Sequence, residues 1–205
     1  MTWRDRIVND GTNRESWLFD RHPRIGASDA AKLSKATSVD KYLAAKLASK
    51  TFHGNDFTES GHRWEPMMLA WAGIPENKAL VHAPGNGGFA ATPDGIAEIH
   101  GGRSLRLAEC KAKHGVIVNG PSLGEWRQLA WQLLCFPEAI EVQFIWAELL
   151  DGDIRPGCHG EPKSITVRRD DPKIREVTPL ILPIATDLLA RLTAALAFER
   201  EMNAA

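Results

Sequence analysis

The sequence predicts an α/β chain with a central mixed β-sheet flanked by helices. Three observations predict it. Helix-period segments occupy both ends, short extended pieces broken by turn residues fill the middle, and one strongly apolar strand-like run, Ile140 to Leu149, lies among them. Helices before and after a set of strands fit such layering.

From Glu15 to Lys50 the pattern is helical, interrupted at His22-Pro23-Arg24-Ile25-Gly26. Ser28 reads as an N-cap for Asp29 to Lys35, and Val39 to Lys50 continues as helix. Gly54 to Ser60 is polar and turn-like. Trp64, Met67, Met68, Trp71 and Ala72 then repeat at helical spacing up to Gly73 and Pro75, and Pro66 either starts or kinks that helix. Glu65 shares a face with Met68, Leu69 and Ala72, an unusual place for an acid.

Ala79 to His100 reads as strands joined by tight turns, and Leu105 to Lys111 as the next strand. Ser122 to Cys135 is a helix, Ile140 to Leu149 a strand, and Ser164 to Arg168 a shorter one. Asp170-Asp171-Pro172 and Thr178-Pro179 are both helix-start signals, with Pro183 expected to kink the helix beyond it. The seam of Leu182, Ala185, Leu189, Leu192 and Leu196 is most simply core packing.

A chain of 205 residues, 43% hydrophobic and 25% charged, can bury a full core and reads as one domain over 1–205. No apolar run approaches the roughly 20 residues that cross a bilayer, and the first residues are polar. The expectation is a soluble, cytoplasmic protein without a membrane partner. Cys110, Cys135 and Cys158 stand 25 and 23 residues apart with no C-x-x-C, which argues against structural zinc and a disulfide framework. His53, His62, His82 and His159 have no matching partner spacing, and the tryptophans read mostly as core, with Trp131 able to line a strand path. A net charge of −1 leaves nucleic-acid binding to local clustering of Lys and Arg.

The chemical signal is Thr92-Pro93-Asp94-Gly95, followed 15 residues after Asp94 by Glu109-Cys110-Lys111. Alternation along a strand points Glu109 and Lys111 the same way as Leu105 and Leu107, so one face turns from apolar to charged as it advances. Such a change is expected where a sheet face runs out of the core into a cleft. Two carboxylates suit a hard divalent cation, and a lysine beside them suits phosphodiester cleavage by orienting or deprotonating water and stabilising charge. Burial and metal charge would lower the lysine pKa. Alone, P-D-G is a common turn and E-x-K a common ion pair. Their order and spacing give them meaning.

The ordered set Arg21…Ile25-Gly26-Ala27-Ser28-Asp29, Gly61…Glu65-Pro66, Thr92-Pro93-Asp94-Gly95, Glu109-Cys110-Lys111 and Gln128…Gln132-Leu133 resembles the YqaJ-type viral recombinase and phage lambda exonuclease family. It spans residues ~17–135. The resemblance implies the PD-(D/E)XK restriction-endonuclease-like fold. It implies Mg²⁺, with Mn²⁺ as a substitute, held by Asp94, Glu109 and the Cys110 backbone carbonyl, with Glu65 near a second metal. Lys111 would be the catalytic lysine and Gln128 would orient a water or metal-bound group. Arg21 and Ser28 would receive a 5′-phosphate together with Thr92, and Arg24 is the alternative to Arg21.

The activity implied is 5′→3′ exonuclease digestion of one strand of linear duplex DNA, leaving a 3′ overhang for a single-strand-annealing protein, by a homotrimer. Ile117 is a departure, because the family's phage member has a phosphate-binding arginine there; Lys113 or His114 could supply that charge. An endonuclease or single-strand nuclease of the same fold, and a non-catalytic DNA-binding adaptor, stay open.

Overall fold

The computed structural model describes residues 2–48, 56–155 and 160–204, with the side chains of 56–62 left aside. A short 3₁₀ turn (Trp3–Arg6) leads into β1 (Ile7–Asn9), followed by the helices α1 (Arg14–Arg21), α2 (Ala27–Ala30), α3 (Val39–Ala48) and α4 (Asp56–Ala72). Strands β2 (Leu80–Ala83), β3 (Asn86–Ala91), β4 (Gly95–Ile99) and β5 (Ser104–His114) come next. Helix α5 (Leu123–Cys135), strands β6 (Ala139–Leu150), β7 (Asp153–Ile154) and β8 (Lys163–Arg168), and helix α6 (Pro172–Ala204) complete the chain.

Strands β1, β2 and β3 form an antiparallel sheet, and β4 to β8 form a mixed one in which β5 and β6 run parallel, with α5 between them in sequence. β4 pairs antiparallel with β5, and both β7 and β8 pair antiparallel with β6. The α/β expectation, a central mixed sheet flanked by helices, is what the chain forms.

Alternation along β5 and β6 divides the core. Leu105, Leu107, Val142 and Phe144 join α2, α3, α5 and α6 in the larger cluster, whereas Ala108, Cys110, Ile145 and Ala147 pack on α4 through Met68 and Leu69. Ser122 caps α5 by accepting the Glu125 N–H at 3.4 Å, while Glu125 reaches back to the Ser122 N–H at 2.7 Å.

Local signals are overruled in four places. α2 ends at Ala30 rather than Lys35, and its N-cap is Gly26, whose N–H donates to Asp29 at 2.9 Å; Ser28 lies inside the first turn. α4 begins at Asp56, so the segment from there to Ser60 is helix rather than turn, and Pro66 sits within the helix. α6 is one helix of 33 residues through Pro179 and Pro183, both on its exposed side. Its other side, including Ile181, Ala185, Leu188 and Leu192, is buried, and that packing holds together what the prolines would interrupt. Finally, α6 is long and apolar enough to span a bilayer by length and composition, against the expectation that no segment comes close, although part of it lies in the core.

Candidate active site

Asp94 stands at a bend immediately before β4. The bend is pinned by Asn77, whose backbone N–H donates to the Asp94 carbonyl at 2.8 Å and whose side chain donates to the Pro93 carbonyl at 2.8 Å, and by the Asp94 N–H bond to the Ala108 carbonyl at 3.0 Å. An added Cβ at Gly95 would stand 2.7 Å from Ile74 and 2.8 Å from Leu69. Glycine is therefore what lets α4 close against the strand that carries Asp94. The Asp94 carboxylate in turn accepts the Cys110 backbone N–H at 2.6 Å.

Glu109, 1% exposed, projects from β5 toward α5. One of its oxygens accepts from both Lys111 and Gln128, and the other accepts from Gln132. Gln128 and Gln132 are one turn apart on α5, so a single helix face supplies both amides. Glu65 reaches the same cleft from α4, on the sheet's other side.

Three acids with one lysine make this end short of positive charge. Burial, then Glu109 and Glu65, raise the Asp94 carboxyl well above its usual range. Burial, then Glu109 and Glu76, push Glu65 up to about 7. Burial works against the Lys111 charge, but Glu109 and Asp94 outweigh it and raise the lysine above its ordinary value. Burial alone does not lower Lys111, because the carboxylates dominate its surroundings; the expected lowering rests on the charge of a bound metal as well.

Among the described residues no three His, Cys, Asp or Glu side chains close into a ready metal cage. A magnesium site does not require one, since one or two carboxylates with waters and phosphate oxygens suffice. Asp94 and Glu109 meet that requirement, and the crowding of acids that raises the Asp94 carboxyl is what a cation relieves. These residues fit a hard divalent ion.

The same cleft, about 850 Å³, continues to Arg21, Ser28, Asp29 and Lys46. Arg21 donates to the Ser28 hydroxyl and lies 5.4 Å over the Trp17 ring. Asp29 accepts from Lys46 at 2.7 Å and stands 4.0 Å from Arg21. Thr92 also lines the cleft, and its hydroxyl oxygen is buried with no hydrogen-bond partner among the described residues.

The structure thus brings Arg21, Ser28, Glu65, Thr92, Asp94, Glu109, Cys110, Lys111 and Gln128 to one cleft. Arg24 is placed elsewhere: its guanidinium is spent on the carbonyls of Gly87, at 3.0 Å, and Asp20. Lys113 faces the Glu109 side but is paired with Glu125, and His114 alternates to the opposite side. Ile117 is exposed. Trp131 is fully buried, donating to the Ala90 carbonyl at 3.0 Å with its ring edge-on to Phe89, and lines no strand path. His82 is half-buried beside the Ala83 carbonyl; His53, the His62 side chain, Cys158 and His159 lie outside the described residues.

Sequence reasoning misses two site residues: Lys46, and Gln132 as a second amide on Glu109. Lys46 carries a readable signal, since it falls on the stripe Val39, Tyr42, Leu43, Leu47 that α3 turns to the core.

Neither a protein-family model nor a curated protein matches the chain. Solved structures do. The crystal structure of LHK-Exo, an alkaline exonuclease from Laribacter hongkongensis, is similar at a TM-score of 0.63, with 21% identity, covering 92% of this chain and 99% of that one. LHK-Exo in complex with dAMP is similar at 0.60 with 18% identity, over 92% and 99%. A phage-related exonuclease from Haemophilus somnus 129PT is similar at 0.59 with 12% identity, over 84% and 96%.

Proposed function

With the PD-(D/E)XK exonuclease fold as the premise, we propose that the chain is a magnesium-dependent deoxyribonuclease of the YqaJ and lambda exonuclease type. It removes nucleotides 5′→3′ from one strand of linear duplex DNA and leaves a 3′ overhang. The observation that carries this is one cleft with opposite electrostatic needs at its two ends: carboxylates around Asp94 and Glu109, cations around Arg21. The exonuclease neighbours, one of them in complex with dAMP, support the reading.

Asp94, Glu109 and the Cys110 carbonyl would hold Mg²⁺ or Mn²⁺, with Glu65 toward a second ion. The metal supplies charge neutralisation at the phosphoryl oxygens and a water of lowered pKa. Lys111, ion-paired to Glu109, adds a fixed positive charge beside the scissile phosphate. Gln128 and Gln132 hold the Glu109 carboxylate in one orientation. Arg21, with the Ser28 and Thr92 hydroxyls, receives the terminal phosphate and so fixes which bond lies over the acids. A homotrimer around the duplex and an annealing protein that takes the 3′ overhang complete the proposal.

Weaker end recognition, giving an endonuclease or single-strand nuclease, is favoured by one observation. Where the phage member has its arginine stands exposed Ile117, and Lys113 is tied to Glu125. Digestion of end-labelled linear duplexes with 5′-phosphate or 5′-hydroxyl ends, beside closed circles, separates these outcomes. Metal-dependent loss from phosphorylated 5′ ends supports the exonuclease. Cutting of circles supports the endonuclease, and no hydrolysis with Mg²⁺ or Mn²⁺ leaves a DNA-binding adaptor.

A further inference from the structure

Lysine is rarely buried without a reason, because an ammonium taken out of water costs several kcal/mol unless it is paired. The Lys46 side chain is 2% exposed and ion-paired at 2.7 Å with Asp29. That carboxylate is shared. It also accepts the Gly26 N–H at 2.9 Å and faces the Arg21 guanidinium at 4.0 Å. Two cations therefore surround one anion, and all three border the cleft that contains Ser28.

The titration of the pair agrees with this count. Burial opposes the Asp29 charge, yet Lys46 and Arg21 together keep its carboxyl below the usual range. Burial, with Arg21 adding to it, pulls Lys46 below the ordinary lysine value in spite of Asp29. The Asp29 direction reflects the two cations beside it, whereas the Lys46 direction comes first from burial and only then from Arg21.

A phosphate monoester carries about −1.5 to −2 at neutral pH, more than one arginine balances. Lys113, near the end of β5, is ion-paired with Glu125, and exposed Ile117 beyond the strand carries no charge.

We infer that Lys46 is the second cation of the terminal-phosphate pocket, supplied from α3, and that Asp29 holds Lys46 and Arg21 beside the cleft until the phosphate arrives. The identity of the ligand as a 5′-phosphorylated DNA end rests on the function proposed above. Lys46 and the anion it meets rest on the geometry alone.

The test is binding without cutting. A labelled duplex carrying either a 5′-phosphate or a 5′-hydroxyl is titrated in chelator with wild type, Arg21→Ala, Lys46→Met and Lys46→Arg, by fluorescence anisotropy. Wild type should prefer the phosphorylated end by at least about tenfold, the worth of one or two charge-assisted hydrogen bonds. Lys46→Met should lose most of that preference while its affinity for the hydroxyl end changes less than about twofold, and Lys46→Arg should keep it.

A preference lost in Arg21→Ala but kept in a folded Lys46→Met overturns the role of Lys46 and leaves the end-recognition reading standing. No preference in wild type overturns both, whereas metal-dependent digestion is scored separately. A measurement on wild type covers the case in which Lys46→Met does not fold: the ¹⁵N-lysine Nζ signal of Lys46, identified by its loss in Lys46→Arg, is followed as inorganic phosphate is added. A saturable shift supports the contact, and an unmoved signal overturns it.

Discussion

The Asp94 carboxylate accepts the backbone N–H of Cys110 at 2.6 Å, which ties the acid on β4 to the residue that separates Glu109 from Lys111 on β5. One bond thus registers three chemical groups against each other. Asp94→Asn can keep the acceptor while removing the charge. It should therefore fold normally by circular dichroism yet lower Mg²⁺-dependent DNA hydrolysis by about 10²–10⁴, with Lys111→Ala in the same range. Rates within tenfold of wild type would remove both residues from the chemistry.

Glu65 gives a prediction about pH. Its folded pKa, about 7, lies above the ordinary value of 4.5, so the stability linked to its proton is full below about 4.5 and is lost as pH rises toward 7. Glu65→Gln, which cannot ionise, should match wild type at pH 4.5 and exceed it at pH 8 by roughly 1–2 kcal/mol after allowance for solvent screening, in chelator. Thermal melts across that range check it. Mg²⁺ should raise the melting temperature of wild type at pH 8 and have little effect on Asp94→Asn. A gap that does not change with pH would contradict this account.

Gln132 is fully buried, and its amide serves one oxygen of Glu109. Gln132→Leu removes that donor from a buried carboxylate and should cost about 1–3 kcal/mol in denaturant unfolding, more than the same change at half-buried Gln128. Equal costs would mean that burial does not distinguish the two amides.

Gly95 is required by space, because Ile74 and Leu69 occupy the position its Cβ would take. Gly95→Val should force β4 and α4 apart, lowering stability by about 1–3 kcal/mol and hydrolysis with it, whereas Gly87→Ala, where a Cβ meets nothing within 4 Å, should leave both near wild type.

Most strands and the α5 cap are legible because their signals are local: alternation over Leu105 to Lys111, and Ser122 with Glu125 at the helix start. The acids are legible as an ordered set. The features that escape depend on distant partners. Continuous α6 is decided by the core beneath it, and the two-residue β7 exists only through its pairing with β6. Ser28 has the look of a cap because its hydroxyl precedes Asp29 to Lys35, but the N-cap is Gly26, whose N–H Asp29 accepts, and Ser28 takes a bond from Arg21. The burial of Lys46 is readable from its place on the core stripe of α3, but its pairing is not, because its partner Asp29 lies 17 positions away.

Arg127, on the turn before Gln128 and Trp131, donates to the Ala31 carbonyl at 2.7 Å, at the end of α2. This clamps the helix that steadies Glu109 to the one that carries Ser28. Under the proposed function, with a chain end gripped beside α2 and cut beside the Glu109 that α5 steadies, such a clamp would be a gauge block: the length of strand measured off would be set by how two helices pack, and each turnover would meet the same span.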